Sequence, residues 1–209
     1  GSIVSNVWTF PAGSVRATTI AVDGTIYLSS ADRKLYAISP QGTQQWAIAF
    51  HSIPPTSPAI ATDGTIYVQG DGILSALSPS GVTKWSYTNY SNGFGSPNIA
   101  LDGTVYVGNG SGSALFAFNP NGSLKWSYSV GNGNTTGDTS ALGSDGTVYF
   151  VCGALFAISP SGMVVWSTPT NDFSLSSPVI ARNGNIYVES SGHLLCAVNQ
   201  SGQFLWGTL

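Results

Sequence analysis

Few side chains in this sequence could carry out acid–base chemistry. Four of the nine acidic residues precede a glycine in a recurring Asp-Gly-Thr motif, which favours a structural role in a turn: Asp23, Asp63, Asp102 and Asp145. The remaining acids are Asp32, Asp71, Asp138, Asp172 and Glu189. Glycoside hydrolysis would need two of these carboxyl groups a few ångströms apart on one surface, which spacing along the chain cannot establish.

The sequence also offers few candidate residues for metal binding or nucleophilic catalysis. His51 and His193 have no second His or Cys at metal-ligand spacing, so we expect structural or surface roles and no metal site. Cys152 and Cys196 are expected to be buried, inert thiols, although one disulfide is possible. The sequence has no Gly-x-Ser-x-Gly motif, and its glycine-rich stretch 108–113 lacks the helix that an anion site needs.

The composition excludes several classes of partner. The 209 residues include only six basic and nine acidic side chains, with a net charge of -3. Scattered cations cannot neutralise a row of phosphates, so we expect neither nucleic-acid nor membrane binding. Apolar segments are short and broken by 26 glycines and 11 prolines, which indicates a soluble, mature chain forming one domain over residues 1–209. Few lysines and many Ser, Thr, Asn and Gly residues favour an extracytoplasmic location: secreted, periplasmic or cell-surface.

The elements that position these residues come from an internal repeat. Asp-Gly-Thr-Ile/Val-Tyr begins at residues 23, 63, 102 and 145, and an altered copy, Asn-Gly-Asn-Ile-Tyr, begins at residue 183. A motif that recurs at this nearly regular spacing is typical of solenoids, propellers and other repeat arrays. The five units span about residues 15–50, 55–88, 95–130, 137–168 and 176–209.

Each unit contains two turn signals and four strand-like segments. The Asp-Gly pair marks one turn, and in most units a Ser/Asn-Pro-x-Gly stretch marks the other. Glycine tolerates a positive φ, and the proline ring fixes the φ angle that the turn needs at its own position. Segments between the turns, such as 65–69, are rich in β-branched and aromatic residues. The repeat therefore predicts an all-β fold, a β-propeller of five four-stranded antiparallel blades. We label the strands of each blade A to D, from the inside outward.

Tryptophan is the second marker of the repeat. Each of five tryptophans follows an alanine by nine residues and a glycine by four. We expect these side chains to dock from the outer strand over a neighbouring blade, where a small alanine leaves room. The tryptophans assigned this structural role are Trp46, Trp85, Trp126, Trp166 and Trp206.

The segment 37–42 ending at Trp46, and 117–122 ending at Trp126, resemble the tryptophan-docking motif of pyrroloquinoline-quinone (PQQ) enzyme-like propeller repeats. The resemblance extends from about residue 5 to residue 209 and implies the fold, not an activity, since such repeats occur in quinoprotein dehydrogenases and in non-catalytic scaffolds. The turn before Trp is one residue shorter than in the dehydrogenases, and five units are fewer than the family usually carries. The family's quinone ligands, an Arg, Ca²⁺ and carboxylates, find no matching motif, so we expect no cofactor. The candidate cations for holding such a quinone, on the side of the propeller whose loops vary in length, are Arg16, Arg33, Lys34 and Arg182.

One outer strand is left over. Residues 3–10, which include Trp8, resemble an extra N-terminal outer strand, although the fifth unit already has its own at 203–209. The chain could be a closed five-bladed monomer, a piece of a larger propeller, or a chain whose ring a second copy completes. The sequence therefore predicts a monomer or a ring-completing homo-oligomer, because an unclosed edge invites pairing.

The two rims of the propeller differ in their loops. The A–B and C–D turns keep a constant design and form what we call the constant rim, whereas the B–C and D-to-next-A connections vary in length and form the variable rim. Loops of this kind, held on a rigid scaffold, often carry function. The candidate ligand-binding residues there are His51, Tyr90, Phe94, Asn132, Asn134, Asp172 and Phe173. The plainer interpretation is that Asn and Gly suit turns and that the aromatics plug the ends of the core.

The sequence favours a non-catalytic binding or scaffold propeller, with the variable rim recognising a protein or a neutral polar ligand such as a glycan. We expect no enzymatic activity and no catalytic residues. One alternative is a quinoprotein-type or carbohydrate-active enzyme domain. Another is an engineered or excised repeat array without a selected ligand.

Overall fold

The computed structural model describes residues 8–51, 55–88, 95–109, 114–130, 140–169, 177–189 and 195–207. These residues form twenty β-strands, arranged as five sheets that follow one another along the chain. Each sheet has four antiparallel strands in sequence order. The predicted all-β propeller of five four-stranded blades is therefore confirmed. No helix in the described ranges has the length and apolar character needed to cross a membrane.

The strand bounds are as follows. Blade 1 contains β1 Val15–Ile20, β2 Ile26–Ser30, β3 Lys34–Ile38 and β4 Gln44–Ala49. Blade 2 contains β5 Ala59–Ile60, β6 Ile66–Gly70, β7 Ile73–Leu77 and β8 Thr83–Thr88. Blade 3 contains β9 Asn98–Ile99, β10 Val105–Asn109, β11 Ala114–Phe118 and β12 Leu124–Ser129. Blade 4 contains β13 Ala141–Leu142, β14 Val148–Val151, β15 Ala154–Ile158 and β16 Val164–Pro169. Blade 5 contains β17 Val179–Ile180, β18 Ile186–Glu189, β19 Leu195–Val198 and β20 Phe204–Trp206.

The A–B turn has the same construction in every blade. In blade 1 the Gly24 N–H donates to the Ala21 carbonyl, and the Thr25 N–H donates to Asp23 Oδ1 at 2.9 Å. Gly24 has a φ of +83°, which a residue with a Cβ adopts only at a cost. The altered fifth copy keeps the side-chain bond, since Asn183 Oδ1 accepts from the Asn185 N–H at 3.1 Å. The structural role predicted for the recurring turn residues is thus visible in their hydrogen bonds.

The hairpin formed by strands C and D determines the direction in which the tryptophan side chain projects. Ala37 pairs with Trp46 across strands C and D of blade 1, and the register shifts by a bulge immediately afterwards. The same shift recurs in all five blades. A bulge at a fixed place re-aims the neighbouring side chain, so each outer-strand indole projects in the same direction relative to its blade.

The indole docks on the next blade through a glycine and not through an alanine. The Trp46 ring lies over Gly81 in the C–D turn of blade 2, where a Cβ would come within 2.9 Å of the ring. Trp46 Nε1 donates to the Pro79 carbonyl of the same turn at 2.8 Å. The predicted docking over a neighbouring blade is correct, but the residue that leaves room for the indole is this glycine. The alanine, fully buried, is instead the cross-strand partner of the tryptophan within its own blade.

The core consists of layers between blades. We call the side of a blade that bears the strand-B Tyr, the strand-C Leu and Ala, and the Trp its forward face, and the opposite side its back face. Between blades 2 and 3, for example, Tyr67 and Leu74 pack against Val105 and Val107. Equivalent clusters join blades 1 and 2, 3 and 4, and 4 and 5. Burial of apolar surface between successive blades is what holds the repeat together.

The first blade is covered differently. Trp8, Phe10 and Ala12 pack on its back face, against Leu28 and Tyr36. Trp8 Nε1 donates to the Pro40 carbonyl at 3.0 Å, which is the contact that outer-strand tryptophans make elsewhere. Residues 8–12 are not paired as a strand, and the rest of the predicted extra strand lies outside the described residues. None of the five hydrophobic clusters of the described residues joins blade 5 to blade 1.

Candidate functional site

On the variable rim, a group of charged and polar residues lies at the junction of blades 1 and 2. Of the seven predicted ligand-binding residues, His51 lies there, in the connection after β4. The other six lie outside the described residues: Tyr90, Phe94, Asn132, Asn134, Asp172 and Phe173. We call the described group of Asp32, Arg33, Lys34, His51 and Asp71 the polar corner. It gathers charged residues in a chain that has only six basic and nine acidic side chains.

Two tight loops build the polar corner. Asp71 and Gly72 form the two-residue turn between β6 and β7, with φ values of 55° and 75°. Positive φ at both positions is the geometry of a type I′ hairpin, which matches the twist of the strands. Arg33, at the end of the β2–β3 connection, has a φ of 66°. Among the described residues, Arg33 and Asp71 are the two non-glycine residues with a positive φ. This conformation costs energy and is found most often in functional loops.

The polar corner is tied together across the blade boundary. Arg33 Nη1 donates to the His51 carbonyl at 2.7 Å, and the Phe50 N–H donates to the Arg33 carbonyl at 2.8 Å. The His51 N–H donates to Asp71 Oδ2 at 2.5 Å, and His51 Nδ1 lies 3.7 Å from the same oxygen. The ring of Phe50 lies against Gly70, where a Cβ would overlap it. The main chain at His51 is therefore held by both blades, while its side chain is 96% exposed.

Asp32 of the polar corner forms a short hydrogen bond with the neighbouring Tyr36. The Tyr36 hydroxyl donates to Asp32 Oδ2 at 2.5 Å, and this bond, with burial and the negative charge of Asp32, raises the pKa of Tyr36 to about 12. Burial alone would raise the pKa of Asp32, but hydrogen bonds from Tyr36 and Ser30 and the charge of Lys34 leave it below the usual value. Asp32 is thus ionised at neutral pH and held in a fixed orientation.

The polar corner presents exposed imidazole, guanidinium and carboxylate groups on a fixed backbone. Such groups can form charge-assisted hydrogen bonds with a partner, and the rigid loops reduce the entropy that binding would cost. In the part of the chain that the structure describes, no group of three or more His, Cys, Asp or Glu side chains could hold a metal ion. Cys152 and Cys196 are both buried thiols that form no disulfide with each other.

The constant rim is the opposite edge of the blades. A Cβ on Gly24, in the A–B turn of blade 1, would come within 2.9 Å of Pro40 in the C–D turn, so the two turns of a blade touch. Arg182, one of the candidate cations, lies in the A–B turn of blade 5 and therefore belongs to this rim and not to the variable one. Arg33 and Lys34 lie on the variable rim as expected.

Hydrogen bonds hold the aspartates of the constant rim. Asp102 accepts from the Thr104 N–H at 2.9 Å, from the Thr104 hydroxyl at 2.9 Å and from Lys125 at 3.3 Å. The backbone bond from Thr104 contributes most to a lowered pKa of Asp102, against the opposing effect of burial. In Asp145, likewise, the backbone bond from Thr147 is the main cause of a lowered pKa. These carboxylates stabilise their own turns, as predicted.

One feature of the constant rim was not expected from the sequence. A cleft of about 480 Å³ lies between the A–B turns of blades 3 and 4, with Leu101, Asp102, Ser144, Asp145 and Pro160 among its lining residues. Turns of constant length predict a purely structural role for this rim. The residue before the turn Asp does change in type, and Leu101 is fully exposed there, which is the signal that could have indicated a surface feature.

Residues 5–208 match a family model described as outer membrane protein assembly factor BamB. The chain belongs to the BamB family. The predicted resemblance to PQQ-like propeller repeats is confirmed by this match and by the structural neighbours of the BamB-family chain. Among curated protein sequences, none matches it.

Solved structures share the fold of this BamB-family chain at low sequence identity. BamB from Moraxella catarrhalis superposes with a TM-score of 0.76 at 20% identity, covering 94% of this chain and 62% of that protein. Virginiamycin B lyase from Staphylococcus aureus gives a TM-score of 0.78 at 14% identity, covering 93% of this chain and 69% of that protein. Quinohemoprotein alcohol dehydrogenase from Comamonas testosteroni gives 0.79 at 16% identity, covering 96% of this chain and 44% of that protein. The chain thus spans less than two thirds of the length of the Moraxella BamB structure.

Proposed function

We propose that this BamB-family chain is a non-catalytic, extracytoplasmic scaffold that binds a protein partner through its variable rim. The observation that carries the proposal is the polar corner, in which two blades fix the main chain at His51 while its imidazole is 96% exposed. Pre-organised polar groups on a rigid surface are suited to recognition. The proposal uses no cofactor.

The class of partner follows from the family description. That description concerns the assembly of outer membrane proteins, so the proposed partner is an outer membrane protein that has not yet folded. An extended polypeptide offers amide and carboxylate groups, which the imidazole and guanidinium groups of His51 and Arg33 can bind. The same description, together with the low lysine content, supports an extracytoplasmic location.

The test is a binding titration with a defined probe. A fluorescently labelled outer membrane β-barrel protein, diluted from urea, is titrated with the chain and followed by anisotropy. We expect saturable binding that weakens as salt is added, because exposed charges contribute. We expect His51→Ala to weaken the affinity by roughly three- to tenfold. His51→Ala leaves the backbone bonds of residue 51 in place, so its effect reports on the exposed ring.

The matched control lies on the other rim. Arg182 is an exposed cation in the blade 5 A–B turn, so Arg182→Gln removes a charge without touching the variable rim. Arg33→Gln is expected to weaken binding, whereas Arg182→Gln is expected to leave it unchanged. Equal effects of the two arginine variants, or no saturable binding, would contradict the proposal.

A further inference from the structure

In blades 2 and 3, the A–B turn binds the ammonium group of a lysine from the outer strand of the same blade. Lys84 Nζ donates to Thr65 Oγ1 at 2.6 Å and to Asp63 Oδ2 at 3.3 Å. Lys125 makes the same two contacts in blade 3, at 2.9 Å to the turn threonine and 3.3 Å to the turn aspartate. A carboxylate oxygen and a hydroxyl oxygen thus form a binding site for a primary ammonium group, and the repeat builds it twice.

Blade 4 builds the same pair of oxygen atoms. The Thr147 hydroxyl donates to Asp145 Oδ2 at 2.9 Å, and the Thr147 N–H donates to Asp145 Oδ1 at 3.0 Å. The corresponding distances in blade 3 are both 2.9 Å. Because the hydroxyl hydrogen of Thr147 is directed at the aspartate, its oxygen can accept a further hydrogen bond, as the turn threonines of blades 2 and 3 do.

The lysine, however, is replaced in blade 4. The residue before the outer-strand tryptophan is lysine in blades 2 and 3 and Val165 in blade 4, where it is 60% exposed. Thr65 and Thr104 are buried, at 1% and 2% exposure, whereas Thr147 is partly exposed. All six basic residues of the chain lie among the described residues, and none of them forms an ion pair with Asp145. The Asp–Thr pair of blade 4 therefore keeps the ammonium-binding geometry and is accessible from solution.

Blades 1 and 5 differ from blade 4 at this place. In blade 1 the residue before the tryptophan is Gln45, and Thr25 is buried, at 4% exposure. In blade 5 both turn positions are asparagines, Asn183 and Asn185, so the turn has no carboxylate. An accessible carboxylate–hydroxyl pair is thus specific to blade 4 among the five described blades.

The cleft of the constant rim adjoins this pair. Asp145 is one of the residues that line the cleft of about 480 Å³ between blades 3 and 4. Its apolar lining residues include Ile99, Leu101, Leu142 and Pro160. The volume is in the range of ligand pockets and is large enough for a bulky apolar side chain. A single exposed ion pair contributes little to binding, so burial of an apolar group in the cleft would supply the rest.

We propose that the A–B turn of blade 4 binds a lysine side chain of another polypeptide, and that the cleft takes a neighbouring apolar side chain of that polypeptide. The ammonium group binds Asp145 and Thr147 as Lys125 Nζ binds the turn of blade 3. Val165 packs against the methylene groups of the bound lysine. A lysine fits better than an arginine, because a compact ammonium group bridges two single oxygen atoms and a planar guanidinium suits paired ones. This inference is independent of the proposed function, because the site lies on the constant rim and not at the polar corner.

The experiment is a nuclear magnetic resonance titration of the ¹⁵N-labelled chain with the peptide acetyl-Phe-Gly-Lys-amide. We expect saturable shifts of the backbone amide signals of Ser144, Gly146 and Thr147, with a millimolar dissociation constant because the contact is small. The same peptide with an acetylated lysine side chain should bind at least about fivefold more weakly, because the charge is removed. Butylammonium should also bind at least about fivefold more weakly, because it leaves the cleft unfilled.

Variants of blade 4 test the named contacts. Val165→Lys should abolish peptide binding, because the new lysine would occupy the site as Lys84 does in blade 2. Met163→Lys adds the same charge at another exposed position of blade 4 and should weaken binding far less. Asp145→Asn should weaken binding at least about fivefold.

The matched control for the carboxylate is in blade 2. Asp63→Asn changes the same turn position where a lysine of the chain already binds, so it should leave peptide binding unchanged. The altered fifth copy of the motif shows that asparagine supports this turn, and the dispersion of each variant's spectrum reports whether it is folded.

Four results would each overturn the proposal. They are shifts that do not saturate, equal affinity for the acetylated peptide, binding that survives Val165→Lys, and equal weakening by Asp63→Asn and Asp145→Asn. Butylammonium binding as tightly as the peptide would also overturn it, because the site would then recognise a free organic amine and not a polypeptide.

Discussion

Trp46 of blade 1 and Gly81 of blade 2 are in van der Waals contact across the blade boundary, and the Trp46 Nε1 hydrogen bond to the Pro79 carbonyl fixes their arrangement. The glycine has a φ of +82°, so it serves the turn and the indole at once. The same relationship recurs at the other described boundaries, with Gly122, Gly162 and Gly202 as the receiving residues. Each blade is thereby locked to the next on its outer side.

The docking contact predicts unequal costs for two similar glycine substitutions. Gly81→Ala should lower the free energy of unfolding by about 2–4 kcal/mol, because it combines positive φ with a clash against Trp46. Gly64→Ala has nearly the same φ, +81°, but its Cβ would meet only Pro79 at 3.2 Å. Its cost should be smaller, near 1 kcal/mol. Urea unfolding measures both, and equal losses would mean that the indole contact contributes nothing.

A pair of equivalent leucines tests whether blade 5 is uncovered. Leu115→Ala should cost about 2–5 kcal/mol, because Leu115 is fully buried between blades 3 and 4. Leu195→Ala, at the same place in blade 5, should cost less than about 1 kcal/mol at low micromolar concentration, because half of the side chain is already exposed. Denaturant titrations compare them. Similar losses would show that blade 5 is covered in solution.

The turn aspartates predict a fall in stability at acid pH. The pKa of Asp102 is lower in the folded than in the unfolded chain, so its contribution is present above the unfolded value of about 3.9 and is lost as pH falls through the folded value. Asp102→Asn keeps an oxygen for the Thr104 N–H but does not titrate there. Its melting temperature should therefore decline less than that of the parent between neutral pH and pH of about 3. An identical decline in both proteins would contradict this.

Tyr36 predicts the opposite behaviour at alkaline pH. Its folded pKa, about 12, lies above the ordinary value of 10.0, so the stability it contributes is present below that ordinary value and is lost as pH rises through the folded one. In an ultraviolet titration of tyrosinate, Tyr36→Phe should remove a late-titrating component and leave the earlier part unchanged. Asp32→Asn, which removes the negative charge, should move that component to lower pH. A Tyr36 signal at the ordinary value would exclude the short bond to Asp32 in solution.

Much of the fold could be read from local sequence. The Asp-Gly pair and the Ser/Asn-Pro-x-Gly stretch specify turns by backbone preference alone, and alternating apolar residues specify strands, so the five blades and the two rims follow from residues close together in the chain. The spacing of Ala37 and Trp46 likewise indicated an outer-strand indole that packs on a neighbour.

Contacts between distant residues were decided only by the tertiary structure. The identity of the small residue under each indole depends on how one blade is rotated against the next, which is why Gly81, thirty-five residues after Trp46, and not an alanine, receives it. The polar corner joins Arg33, His51 and Asp71 because two loops from different blades meet. The positive φ values at Arg33 and Asp71 could not be predicted from the sequence, because neither position is a glycine.

The segment around Trp8 and the face of blade 5 also show what the sequence determines and what only the tertiary structure determines. The sequence by itself determined that one Trp-bearing segment exceeds the number of blades, since counting residues is enough. It could not determine which face that segment covers, because the forward and back faces of every blade are similarly apolar. Three-dimensional packing placed Trp8 on the back face of blade 1 and left Leu195 and Trp206 of blade 5 exposed. The physical reason is that burial is a property of surfaces brought together, and no residue carries it alone.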